Sequence, residues 1–330
     1  MRRTPISLAL GGGGARGLAH LGVLEEMQAA HVDIQHISGV SMGGLIGAMY
    51  AFDPRPDRIR QRALDYLLSD EFSGPQRELL KARSFSDDTP PGGLFSWYHQ
   101  VYEYLKNHHL LSRISLRQSL LPGYLLEDAV NHLLPAADIE EAVIPLTIVA
   151  ADLHTGRRVL LETGDVRSAA RASAALPGIF PPVVRDDMLL CDVGVVDSVP
   201  ILPDRRQDCV KVAVDVSGDI KPLRDCLTTL DVLMRLLEIS EVNVRQMVLP
   251  HADLVISPEV GDVEWYDFSS ADVLFAAGRE ATRTALRDFP PPLSLIGRLW
   301  NRLFADRHVT NATSPPSTPS DATWTTSSGK

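Results

Sequence analysis

The chain is short of cysteine, of long apolar runs and of positive charge, and each shortage removes a class of protein. Three cysteines in 330 residues, Cys191, Cys209 and Cys226, are an odd number in no metal-ligand spacing. Neither a disulfide-stapled secreted fold nor a zinc module is expected from them, and they read as small buried apolar residues. No stretch approaches the roughly 18 consecutive apolar residues of a membrane-spanning helix, and the first residues lack the apolar core and cleavage site of a secretory signal. A soluble, cytoplasmic protein is the expectation. A formal net charge of −10 opposes a general nucleic-acid binder, which needs a basic surface to displace phosphate counterions. The same charge weakens electrostatic attraction to anionic membrane, so a peripheral membrane contact would have to be made locally.

What is present is ordinary globular composition, 45% apolar and 22% charged, enough for one α/β domain with an inserted segment. Ile6 to Leu10 is a short apolar run, Gly11 to Gly14 breaks it, and Leu18, Leu21, Val23 and Leu24 continue at helical spacing to about Ala30. Val32 to Ser38, the turn Gly39 to Gly43 and the apolar Leu45 to Phe52 repeat the pattern, and Asp53-Pro54-Arg55-Pro56 stops it. The order βαβα predicts adjacent parallel strands. Later strands are expected at Leu146–Ala150, Val159–Leu161, Met188–Cys191, Val210–Val216 and Leu254–Ser257, and helices near Asp165–Ala172, Thr229–Val248 and Ala271–Arg287.

Residues 1–288 are thus expected to form one domain carrying a helical insertion at about 73–135. Within the insertion, Leu94, Trp97, Tyr98, Val101, Tyr102 and Leu105 make a stripe at i, i+3, i+4 spacing, readable as core packing or as a lid. At 289–310 a short amphipathic helix, with Ile296, Leu299, Trp300, Leu303 and Phe304 on one side, suits either docking on the core or a membrane interface. The Ser/Thr/Pro-rich 311–330 reads as a disordered tail, too poor in aliphatic residues to offset its ordering entropy.

The sharpest chemical signal is Gly39-Val40-Ser41-Met42-Gly43, a G-x-S-x-G between a predicted strand and a predicted helix. A serine nucleophile needs that setting, because it must stand out on a strained turn at a helix N-terminus. The second signal is Gly12, Gly13, Gly14, Ala15, Arg16 and Gly17, also between strand and helix. Consecutive glycines let backbone N–H groups converge on an anion, and a loop opening at the same sheet edge as Ser41 can serve as an oxyanion hole. Gly12, Gly14 and Gly17 also satisfy G-x-G-x-x-G, but the second strand ends in Ser38-Gly39-Val40-Ser41 without the acidic residue that holds a ribose. Nucleotide binding is the weaker reading, and no cofactor or metal is expected.

No histidine is well placed to activate Ser41. His20 lies within the first helix as a structural residue, His154 sits in the turn Asp152 to Gly156, His251 precedes a strand and His308 adjoins the tail. An aspartate is the other candidate base. Asp192, ending the strand Met188–Cys191, can act so if it is partly desolvated and within reach, although an aspartate at a strand end is often only a turn-former.

Taken together, the glycine loop Gly12–Gly17, the elbow Gly39–Gly43, the block from Ala172 to Pro182 and Asp192-Val193-Gly194 followed by Val199-Pro200 resemble the bacterial patatin-like phospholipase family. The resemblance runs over about residues 5 to 260. It implies a three-layer α/β/α fold with a mostly parallel central sheet, a Ser41–Asp192 dyad, an oxyanion hole from the Gly13 and Gly14 region, and metal-free hydrolysis of fatty-acyl esters. Arg16 matches the family's basic residue in the glycine loop, where it orients a phosphate or caps the loop. One departure stands out: Val193 occupies a position where the family usually has glycine. A valine forced to positive φ would be strained and would displace Asp192, leaving Asp197 as the fallback. The alternatives to a lipid acyl-ester hydrolase are an acyltransferase of related fold and a catalytically weak lipid-binding module.

Overall fold

A computed structural model describes residues 5–69, 72, 119, 121–194, 196–202, 209–218, 220, 229–261, 263 and 267–287. The chain divides into two units, Met1–Phe289 and Pro290–Lys330, and every described residue lies in the first. The aromatic stripe of residues 94–105, the amphipathic segment 293–304 and the tail 311–330 lie outside the described residues.

The centre is a mostly parallel sheet between helical layers. Its first strand, β1 (Pro5–Leu10), lies between β2 (Asp33–Val40) and β7 (Val210–Val214), with β3 (Leu146–Asp152) beyond β2 and β8 (Leu254–Ile256) beyond β7, all parallel. Leu8, Ala9 and Leu10, which point alternately to opposite faces, are all buried, as expected for a strand covered on both faces. The antiparallel strands are β4 (Arg157–Leu161), β5 (Val183–Arg185) and β6 (Met188–Cys191): β4 and β6 both pair with β3, and β5 pairs with β6. β5, only three residues long, carries no alternation that a sequence pattern can register.

Helices α1 (Ala19–Ala29) and α2 (Met42–Phe52) follow β1 and β2 as expected. Unexpected is α3 (Pro56–Leu67), which begins inside the stop signal. Pro56 sits in its first turn, where a missing N–H leaves no bond unmade and the ring presets the helical φ, so the proline that ends one helix starts the next. Ile59, Ala63 and Tyr66 bury its inner face. Of the expected insertion, the described part holds α4 (Gly123–Leu133), which packs on α3 and on α5 (Val166–Ala174). Asp165 caps α5, its carboxylate accepting the N–H groups of Arg167 at 3.3 Å and Ser168 at 2.8 Å. The last helices are α6 (Thr229–Val248) and α7 (Ala271–Arg287).

α1 and α7 meet glycine to backbone. A β-carbon on Gly22 would collide with the Phe275 carbonyl, and one on Gly278 with the Ala19 carbonyl, so each helix presses its backbone into the notch left by the other's missing side chain. Arg279 and Arg283 then reach across to Glu25 at 2.8 Å and Glu26 at 2.9 Å. Gly22→Ala and Gly278→Ala should each destabilise the protein by about 1–3 kcal/mol through overpacking, read as a fall of several degrees in Tm by calorimetry. An unchanged Tm in both would show that the two helices separate without loss.

Candidate active site

The site is made by two strands that arrive end to end along one edge of β3. Val40, the last residue of β2, lies opposite Val149, and Cys191, the last residue of β6, lies opposite Ala151. β4 pairs with residues 148–152 of β3, so it holds the other edge. β2 and β6 run in opposite directions, and their ends face each other across the width of Ala150. The next residues in each chain are Ser41 and Asp192.

Ser41 has φ 54° and ψ −125°, a backbone conformation that costs a residue with a β-carbon about 1–3 kcal/mol. It is held there by close packing. A β-carbon on Gly39 would stand 2.5 Å from the Gly43 carbonyl oxygen, and one on Gly43 at the same distance from that of Gly11, so neither position admits a side chain. α2 starts at Met42, directing its N-terminal dipole at the serine. The Ser41 N–H donates to the Ser173 hydroxyl at 2.9 Å, and that hydroxyl donates to the Val149 carbonyl at 2.6 Å.

The Ser41 hydroxyl lies close enough to the Asp192 carboxylate to lower its pKa. Asp192 is buried, its N–H donates to the Ala175 carbonyl at 2.9 Å, and its Oδ1 accepts the Gly194 N–H at 2.7 Å. Desolvation dominates its electrostatics: it pushes the carboxyl up to about 6, against the opposing pull of the Ser41 hydroxyl and the Gly194 N–H. Asp197 is engaged elsewhere, with its Oδ2 2.6 Å from Nη1 of Arg158. The structure therefore brings Asp192, and not the fallback, to the serine.

Val193 does not have positive φ. It packs with Val40 and Val149 in a small buried cluster under the site. The strain expected of a β-branched residue after the aspartate is absent, because the chain turns at this point without entering the left-handed region.

The glycine loop lies alongside. The Gly11 N–H donates to Val214 at 3.0 Å and the Gly12 N–H to Ser198 at 2.8 Å, which fixes the loop but leaves Gly12 no N–H for an anion. A β-carbon on Gly12 would stand 3.4 Å from that of Ser41, so the loop runs directly past the serine. The Arg16 N–H is turned back to the Gly13 carbonyl at 3.2 Å, and its Nε donates to the Val263 carbonyl at 2.6 Å. Arg16 is buried as a cross-tie. Gly17 fits against Met42, which its β-carbon would strike. Of the six residues expected to form the hole, Gly13 and Gly14 remain as donors with no backbone bond among the described residues, followed by Ala15 in the first turn of the short helix Gly14–Leu18.

His20 is wholly buried beneath this loop, with Nε2 2.8 Å from the Gly11 carbonyl oxygen, and desolvation lowers its pKa to about 4. It is neutral at ordinary pH and braces the loop, as expected of a structural histidine. His154 is exposed in the β3–β4 turn and His251 is exposed before β8; His308 lies outside the described residues. Among the described residues no group of three or more His, Cys, Asp or Glu side chains is gathered as a metal site, and no helix is long and apolar enough to cross a membrane.

A family model described as patatin-like phospholipase matches residues 8–204, a span that includes the glycine loop, the Ser41 elbow, the Ser173 segment and Asp192. The chain belongs to the patatin-like phospholipase family. It is 31% identical over 222 residues to an uncharacterised NTE-family protein of Mycobacterium tuberculosis, an alignment covering 67% of this chain and 51% of that protein. With mouse patatin-like phospholipase domain-containing protein 6 it shares 26% identity over 266 residues, 78% of this chain and 16% of that one. The chain thus spans about half the length of the mycobacterial relative. Among solved structures, VipD from Legionella pneumophila is similar with a TM-score of 0.44 at 16% identity, covering 87% of this chain and 67% of that one.

Sequence reasoning assigned no role to two patatin-family residues that the structure places at the centre. Ser173 holds the Ser41 N–H, and two residues on, the Ala175 carbonyl holds the Asp192 N–H. One short stretch at the end of α5 therefore fixes both members of the pair. The signal was the block Ala172–Pro182, legible as a motif but mute about which of its atoms matter.

The raised carboxyl has a thermodynamic signature. Asp192 binds its proton more tightly when folded, at about 6, than at the ordinary 3.8, so its contribution to stability is full below pH 4 and is lost as pH rises towards 6 and beyond. Asp192→Asn should accordingly stabilise the protein above pH 6, by up to about 3 kcal/mol at 1.36 kcal/mol per pKa unit, and give no gain at pH 4. Denaturant unfolding across that range measures it; a variant less stable than wild type at pH 8 would show the carboxylate to be stabilising.

Proposed function

We propose that the chain is a serine acyl-hydrolase that cleaves fatty-acyl esters of lipids, with phospholipid or lysophospholipid as the substrate class. The observation that carries this reading is a strained Ser41 delivered by the end of β2 towards a buried Asp192 at the end of β6, whose carboxyl is raised to about 6. Family membership supports the lipid class.

In this reading Asp192 takes the Ser41 proton as Oγ attacks the acyl carbonyl carbon. The negative charge that develops on the carbonyl oxygen faces the Gly13 and Gly14 N–H groups and the N-terminus of α2, fixed dipoles that need no reorganisation during the step. As the tetrahedral intermediate collapses, the C–O bond to the lipid alcohol breaks, and Asp192 returns its proton to the departing oxygen. Water then attacks the acyl-Ser41 ester, giving its proton to Asp192; as the intermediate collapses the fatty acid leaves, and Asp192 passes that proton to the departing Oγ, which regenerates Ser41. A carboxyl near 6 suits both transfers: it is ionised at neutral pH, yet more basic than an exposed aspartate. Burial supplies that basicity without a histidine.

The test is a panel of phospholipids, lysophospholipids and a soluble short-chain ester given to wild type, Ser41→Ala and Asp192→Asn. Wild type should release fatty acid, Ser41→Ala none above background, and Asp192→Asn should retain its fold with kcat lower by about 10²- to 10⁴-fold. kcat/KM of wild type should rise with pH through an apparent pKa near the 6 of Asp192, because the base must be ionised. Full activity in Asp192→Asn, or a profile flat between pH 5 and 8, contradicts the assigned base.

A further inference from the structure

α6 is turned inside out. A helix on a protein in water buries its apolar side and exposes its charges. Here Val232, Leu233, Leu236, Leu237 and Ile239 face outward, with Leu233 51% and Leu236 54% exposed. The charged side chains that are described lie inward: Arg235 pairs with Glu238 at 2.8 Å, and Arg245 pairs with Asp215 at 2.8 Å and with Glu241 at 3.2 Å. The Arg245 and Glu238 side chains are only 11% and 14% exposed.

One of these pairs, Arg245 with Asp215, joins the C-terminal part of the helix to the segment behind the glycine loop. Asp215, which holds Arg245, also accepts the Ser217 N–H at 2.9 Å and follows Val214, whose carbonyl seats Gly11. A β-carbon on Gly13 would lie 3.3 Å from the Val216 carbonyl oxygen. α6 is therefore anchored to the same short segment that backs the glycine loop.

We propose that the outward face of α6, through Val232, Leu233, Leu236, Leu237 and Ile239, is the surface on which the protein sits in a lipid bilayer. The lipid occupant rests on the acyl-hydrolase reading. Five neighbouring side chains make a patch on the order of a few hundred Å², a size that is often functional on a monomer and below the roughly 800 Å² that one partner gives to a stable protein interface. It carries no charge, and the whole chain has a net charge of −10, so ionic attraction to anionic headgroups does not drive the contact. Insertion of apolar side chains among acyl chains does, and that requires neither a basic surface nor low salt.

Vesicle co-sedimentation of the full chain, in the Ser41→Ala background so that lipid is not consumed, tests the proposal. Pure phosphatidylcholine vesicles should bind it, within about twofold equally at low and high salt. Leu233→Ser/Leu236→Ser/Leu237→Ser should lower partitioning at least tenfold while keeping wild-type Tm; with Ser41 restored, that variant should hydrolyse soluble ester normally and vesicle lipid poorly. Should the triple variant fail to fold, Leu233→Trp alone decides, since its added emission should be quenched by brominated phosphatidylcholine. Undiminished binding by a folded triple variant, or no quenching, overturns the proposal. So does a wild-type dimer in sedimentation that becomes a monomer in the variant, which assigns the face to a second copy. Loss of binding in the variant supports the docking surface even if no ester is hydrolysed by wild type, and in that case the acyl-hydrolase reading alone fails.

Discussion

The site depends on one feature of the sheet: a single edge of β3 accepts β2 by its first half and β6 by its last. Parallel strands all end at the same edge of a sheet, so two parallel neighbours deliver their loops side by side. The reversal of β6 delivers Asp192 from the opposite direction and aims it at the residue after β2. A gap one residue wide then sets the meeting of hydroxyl and carboxylate. Side chains alone could not hold such a contact, since a serine and an aspartate on mobile loops would lose it to water. Backbone pairing fixes both approaches, and the end of α5 locks them, with Ser173 on one amide and Ala175 on the other.

The same construction explains the electrostatics. Asp192 is buried, and desolvation outweighs the lowering effects of the Ser41 hydroxyl and the Gly194 N–H, so its pKa rises to about 6. Asp197, five positions on, is also buried and also raised, but Arg158 offsets part of the effect. The two aspartates thus differ by one cation. Pairing with arginine makes one a structural residue, and the lack of a neighbouring cation among the described residues makes the other a candidate base. His20, close under the loop, is driven by burial to about 4 and adds no positive charge near the serine.

Much of this was legible in the sequence, and the limits are physical. Gly39 to Gly43 and Gly12 to Gly17 can be read because a strained turn and a tight loop admit few residue types, and because their flanks show the strand and helix periods. The start of α3 is hidden in the sequence because Pro56 reads as a terminator, although the same ring favours a helix start. The effect of Val193 was beyond sequence reasoning: whether a β-branched residue is strained depends on φ, and φ here follows from the turn that β6 makes into the site. The narrowing of the candidate anion donors to Gly13 and Gly14 depends on where Ser198 lies, some 186 positions away from Gly12, which no local pattern encodes. α6 shows the sharpest limit. Helical periodicity gives two faces, but only the fold decides which one meets the protein.

The measurement that tests the account most directly is covalent capture of the nucleophile. A fluorophosphonate ester reacts with a serine whose hydroxyl is activated beside an anion-stabilising loop, and intact mass followed by peptide mapping locates it. The account predicts a single adduct on the peptide that carries Ser41, absent from Ser41→Ala. An adduct on another serine, with Ser41 unmodified, would contradict it.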